Sequence, residues 1–130
     1  MTNGEIIKGV YEAFATGNVP AILGAFEDNM SWTEAEGFMY AGTYVGANAI
    51  LENVFMKLGT EWEGFTALPS KIVDGNDGNV ASFGTYSGKF LQSGKSMSVP
   101  FAHEWELSGG KVVKFVQHTD TLVIARDLGL

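Results

Sequence analysis

The sequence predicts an α+β domain: helices packed on one face of a curved, mostly antiparallel sheet, giving a cone-shaped molecule. Three observations carry this expectation. Apolar residues recur at helical spacing in the first half of the chain and again in a short stretch at its end. From residue 62 onward the pattern becomes short alternating runs separated by Gly-Asn-Asp-Gly, Ser-Gly and Ser-Gly-Gly turns. The chain has 130 residues and no cysteine, enough for one core without disulfides, so residues 1–130 read as a single domain.

Residues 3–16 place Ile6, Ile7, Val10 and Phe14 on one helical stripe, which Gly17-Asn18 ends. Asn18 or the Val19-Pro20 pair opens a second helix, with Pro20 in its first turn, Ala21, Ile22, Ala25 and Phe26 as its apolar side and an end near Glu27-Asp28-Asn29. Residues 30–37 (MSWTEAEG) read as a short strand with Met30, Trp32 and Glu34 on one face. FMYAGTYVG is irregular and punctuated by glycine. A third helix runs from about Ala47 to Leu58 on Ile50, Leu51, Val54, Phe55 and Leu58. Four strands follow as an antiparallel meander, and TLVIARDLG closes the chain as a short helix that Asp120 is placed to cap.

Composition removes several function classes. Without cysteine there is no thiolate chemistry, and the absence fits a reducing cytoplasm. A net charge of −7, with eight Lys and Arg spread along the chain, argues against nucleic acid as a partner. No apolar run approaches the roughly 20 residues that span a bilayer, so no membrane is expected. No metal or cofactor motif is present. Three Trp, four Tyr and nine Phe suggest a roomy, aromatic-lined interior.

Both histidines flank the Ser108-Gly109-Gly110 turn. On VPFAHEWEL, Phe101, His103, Trp105 and Leu107 alternate with Ala102, Glu104 and Glu106, so His103 faces inward. It is then either a site residue or a core histidine bonded to backbone. The following strand has two registers. A strict two-residue turn pairs Ser108 with Lys111 and puts His118 and Asp120 on the face of His103. A bulge, or a loop one residue longer or shorter, puts Val113, Phe115, Gln117 and Thr119 there instead. Lys114 favours the second register, because the first would turn it inward; Val112, Val116 and His118 then face outward. Glu34, beside Trp32, is costly to desolvate, and the raised pKa that follows makes a carboxylate a usable proton shuttle. The other possibilities are a strand end pointing to water, or Glu36 in that role. Gly84 and Gly88 alternate with Tyr86, leaving room for a ligand beside a phenol or merely easing a bend.

"YEAFATGN", the carboxylate before a glycine, "YVGANAI" and "HEWELSGGK" together resemble the SnoaL-like polyketide cyclases and ketosteroid isomerases of the nuclear-transport-factor-2-like superfamily. The resemblance implies a deep apolar pocket for a small hydrophobic molecule, and a homodimer formed through the outer sheet face. It implies Glu34 at the place of the isomerase's general base, an aspartate in that family, whose pocket tunes the carboxyls it holds. It implies His103 at the place of the oxyanion donor, with Trp32, Tyr86, Phe115, Gln117 and Thr119 as ligand-binding positions. The chain departs from the family at two further points: the isomerase's helical tyrosine corresponds to Val10, with Tyr11 one position round, and the cyclase's last-strand aspartate corresponds to Gln117. The arginine-flanked pair of epoxide hydrolases is missing, since Arg126 is the only arginine. Tyr40 and Tyr44 are expected to pack at the surface. The function expected is cofactor-free isomerisation, cyclisation or dehydration of an apolar carbonyl compound, or else non-catalytic binding of such a molecule.

Overall fold

The computed structural model describes residues 1–130. Helix α1 (Asn3–Ala15) begins at Thr2, whose hydroxyl accepts from the Glu5 N–H, and it buries Ile7, Val10 and Tyr11. Those positions are three and four apart, the spacing of one helical face. Its first turn is tied to the far end of the sheet, where the Gly4 N–H donates to Asp74 Oδ2 at 2.9 Å. Helix α2 (Val19–Gly24) is capped by Asn18, which accepts from the Ala21 N–H.

The second helix is shorter than the sequence predicts. Strand β1 (Phe26–Glu34) starts where the helical stripe was expected to continue, and Phe26, Met30, Trp32 and Glu34 are its buried residues. Sheet pairing overrides the helical spacing of Ala25 and Phe26, as tertiary contacts often override local preference. The segment expected to be irregular contains an edge strand, β2 (Gly42–Val45), antiparallel to β1. Residues 47–60 form one continuous helical stretch: α3 (Ala47–Ile50), a π-helical turn (Leu51–Phe55) and α4 (Met56–Thr60). The π turn presents Val54 and Phe55 inward, and such turns often sit at functional sites.

Strands β3 (Trp62–Asp74), β4 (Asn79–Phe90), β5 (Lys95–Ser108) and β6 (Lys111–Thr119) form the expected meander. The chain ends in α5 (Thr121–Leu128), capped by Asp120 through a 3.1 Å bond from the Val123 N–H. The six strands make one sheet in the order β2-β1-β6-β5-β4-β3, with β1 and β6 parallel and every other pair antiparallel. A single cluster of 26 buried hydrophobic residues fills the concave side, which is why no disulfide is needed at this length. No helix is long and apolar enough to cross a membrane.

The last hairpin combines both registers foreseen from the sequence. Ser108 pairs with Lys111 and Leu107 with Val112 across the two-residue turn; Glu106 then pairs with Lys114, so Val113 is a bulge. Beyond the bulge His103 stands opposite Gln117 and Ala102 opposite His118. Lys114 and His118 therefore point outward as expected. Val112 does not: it lies before the bulge and is fully buried.

Candidate functional site

Between α1, the π turn and the inward faces of the strands lies a narrow cavity of about 50 Å³. Its lining is apolar except for a few groups, among them Tyr11, Glu34, Tyr86, His103 and Gln117. Five of its wall residues (Phe14, Ile22, Phe55, Leu58, Phe65) also line a wider outer recess of about 310 Å³, bordered by Gly17, Gly59 and Gly64. A cavity of roughly 150 Å³ is known to hold benzene, so the inner space admits a ring only if the Phe14, Phe55 and Phe65 side chains move aside. The aromatic residues fill this interior more than they line an open one. Trp32 stacks on Phe115 with centroids 3.7 Å apart, and Phe101 stacks on His103 at 4.1 Å.

Glu34 stands at the end of β1 with its side chain turned into this cavity and 5% of its surface exposed. Burial pushes its carboxyl up to about 8, because charge is costly to strip of water; the nearby Trp32 indole offsets only part of that. Neither Glu34 Oε2 nor the Trp32 Nε1–H has a hydrogen-bond partner of regular geometry. A buried polar pair left unsatisfied in this way is uncommon and needs a reason. Glu36, the other carboxylate considered, is not among the buried residues.

A continuous chain of hydrogen bonds crosses the inner end of the cavity. Tyr11 Oη lies 2.6 Å from Ser82 Oγ and 2.5 Å from His103 Nδ1. Tyr86 Oη lies 2.5 Å from His103 Nε2 and accepts from Gln117 Nε2 at 3.0 Å. Gln117 Oε1 accepts from the Ala35 N–H at 2.9 Å, and Trp105 Nε1–H donates to Ser82 Oγ at 2.9 Å. Burial holds the His103 imidazole well below its ordinary value, with the His118 charge adding to the effect, so the ring is neutral at pH 7. Burial also raises both phenols, Tyr11 to about 12 and Tyr86 well above its usual value; the Glu34 charge is the second cause at Tyr86.

Of the residues singled out from the sequence, Trp32, Glu34, Tyr86, His103, Phe115 and Gln117 meet around this cavity. Thr119 does not. It lies past the cavity's end, still paired with Phe101 in the sheet, and its hydroxyl donates to the Pro100 carbonyl at 2.8 Å. Tyr86 is not set in open space: a Cβ at Gly84 would meet the Leu68 carbonyl at 2.2 Å and Phe101 at 2.6 Å, so that glycine lets β3 approach closely. Tyr11 is the residue that sequence reasoning passed over. Val10 and Tyr11 both face inward, and the signal was present, since Tyr11 is four residues after Ile7. Tyr40 is buried rather than at the surface; its hydroxyl donates to Glu61 and accepts from the Trp62 indole.

Comparison with known proteins identifies the class. The SnoaL-like domain profile matches residues 7–115, and the chain belongs to that family. A nuclear-transport-factor-2-like protein from Burkholderia thailandensis E264 is 37% identical, with a TM-score of 0.94 over 98% of both chains. TerC, co-crystallised with polyporic acid, is 23% identical with a TM-score of 0.86 over 97% of both chains. A candidate polyketide cyclase from Pseudomonas putida KT2440 is 17% identical with a TM-score of 0.78 over 98% of both. The last two share the fold. No curated protein sequence matches the chain.

Proposed function

We propose that the protein catalyses cofactor-free proton transfer beside the carbonyl group of a small apolar compound. Glu34 takes the proton from the carbon next to the carbonyl, the C–H electron pair moves to form the enolate, and the proton returns to carbon. Tyr86, backed by His103, hydrogen-bonds to the oxygen where charge develops, the role that contributes most in such chemistry. The observation that carries this function is Glu34 itself: a buried carboxyl with an unpartnered oxygen in an apolar cavity, its pKa raised to about 8. A base with a pKa near the working pH is matched to its task. The test is hydrogen–deuterium exchange at the α-carbon of small apolar ketones, followed by NMR in D2O. Wild type should exchange the ketone hydrogens, faster as pH rises toward 8, and Glu34→Gln should slow exchange by about 100-fold or more. Equal exchange in the two proteins would remove Glu34 from the chemistry.

Gln117 favours a second function, in which the cavity holds an apolar ligand without converting it. Both ends of its amide are engaged by the protein, and an amide cannot take the proton. Ketone binding by calorimetry with no α-exchange would establish this function over catalysis. We also propose pairing of two copies through the outer sheet face, where Leu68 and Phe83 remain 58% and 41% exposed. Sedimentation should then give twice the chain mass.

A further inference from the structure

The buried chain of hydrogen bonds has one hydrogen more than it can use internally. Its ends are fixed by chemistry. The Trp105 indole can only donate, so Ser82 Oγ accepts from it. The Ala35 N–H can only donate, so Gln117 turns its oxygen there and its NH2 toward Tyr86. Between these ends stand Ser82, Tyr11, neutral His103 and Tyr86, with one movable hydrogen each and three links to fill. One hydrogen is left over, and it must sit on Ser82, Tyr11 or Tyr86.

Ser82 is fully buried and has no neighbours in the chain besides Tyr11 and Trp105. A hydrogen left there has no acceptor, at a cost of about 1–3 kcal/mol. Around Tyr11 Oη the close groups are Ser82, His103 and the Trp105 indole donor, and none is a free acceptor if the first two donate. Tyr86 differs. It shares the cavity with Glu34, whose Oε2 is unclaimed.

We infer that the chain runs from Ser82 toward Tyr86, so that His103 carries its proton on Nε2 and the Tyr86 hydroxyl hydrogen is the one offered to a ligand. Ser82 then donates to Tyr11, Tyr11 donates to His103 Nδ1, and His103 Nε2–H donates to Tyr86. This leaves the Tyr86 hydroxyl as a donor hydrogen on the cavity wall. It selects a ligand with an acceptor oxygen, a carbonyl in preference to an amine. This ligand class rests on the proposal that the cavity is a ligand site; the direction of the chain does not.

The experiment is a long-range proton–nitrogen NMR spectrum of the imidazoles in 15N-histidine-labelled protein at neutral pH. The expected result is the Nε2–H tautomer at His103 both in wild type and in Ser82→Ala, where the Tyr11 hydroxyl still has no acceptor besides His103 Nδ1. An Nδ1–H tautomer or an imidazolium in wild type would overturn the inference, and needs no variant to fold. An Nδ1–H tautomer in Ser82→Ala would overturn the direction given to the chain. Cyclohexanone and cyclohexylamine serve as the probes of ligand class. Cyclohexanone alone should shift the His103 nitrogens, and Tyr86→Phe should weaken its binding about tenfold. Preferential binding of the amine would overturn the ligand class. Binding of neither probe, with the Nε2–H tautomer present, would count against the ligand site while confirming the direction of the chain.

Discussion

The two histidines occupy opposite faces of the same pair of strands, one residue out of step, and meet opposite conditions. His103, opposite Gln117, is sealed among Phe101, Trp105 and Phe115, with both ring nitrogens held by tyrosines. His118, opposite Ala102, stands on the outer face, where its Nε2 pairs with Glu104 at 2.6 Å and its side chain is 58% exposed. The inner contacts are buried in low dielectric, where a polar group that loses its partner is costly to leave unpaired. The outer pair is screened on both sides. Residue type is therefore a poor guide to role here; the face of the sheet decides it.

Substitutions on the two faces should separate accordingly. The largest stability loss is expected from Phe115→Ala, which empties a fully buried ring site stacked on Trp32 and should cost about 3–5 kcal/mol in urea unfolding. Val116→Ala, its neighbour on the other face, should cost far less. Next comes Tyr11→Phe, which strands Ser82 and His103 Nδ1 without their shared partner and should cost about 1–3 kcal/mol.

The pH dependence of stability gives a third, smaller effect with a definite sign. Glu34 has a folded pKa near 8, above its ordinary 4.5, so the folded state holds a proton the unfolded state has lost. Stability from this group is full below about 4.5 and falls as pH rises toward 8. His103 is depressed below 6.5, so its contribution is full above 6.5 and declines as pH falls below that value. Between 6.5 and 8 Glu34 acts alone, and stability should drop by about 2 kcal/mol. Glu34→Gln should flatten that slope. The smallest effect is expected at the outer pair: His118→Ala should change stability by less than about 1 kcal/mol, and the change should fade with added salt.

Much of the fold was legible because its signals are local. The alternation from Val99 to Leu107, the Asp120 cap and the Asn18 cap all follow from neighbouring residues. What the sequence left open depends on long-range pairing. Phe26 fits a helical stripe equally well until β6 pairs with β1. The last hairpin needed the bulge at Val113, and Lys114 pointed to the outcome beyond it while misplacing Val112 before it. At the site, period-two alternation brought Trp32, Glu34, Tyr86, His103, Phe115 and Gln117 to one side. Tyr11 was missed because a helical face is about 100° wide and admits two adjacent residues, and Thr119 was included because alternation along β6 continues past the end of the cavity.

The catalytic function proposed for the cavity rests on Glu34 being a buried carboxyl whose burial raises its pKa, and its titration is the sharpest check. Carbon-13 NMR of the glutamate side chains, with Glu34→Gln to assign the resonance, should show a carboxyl still protonated at pH 7 that ionises near 8. Ionisation of Glu34 near the ordinary 4.5 would contradict this, since the carboxylate would then be solvated rather than held in an apolar cavity and matched to neutral pH.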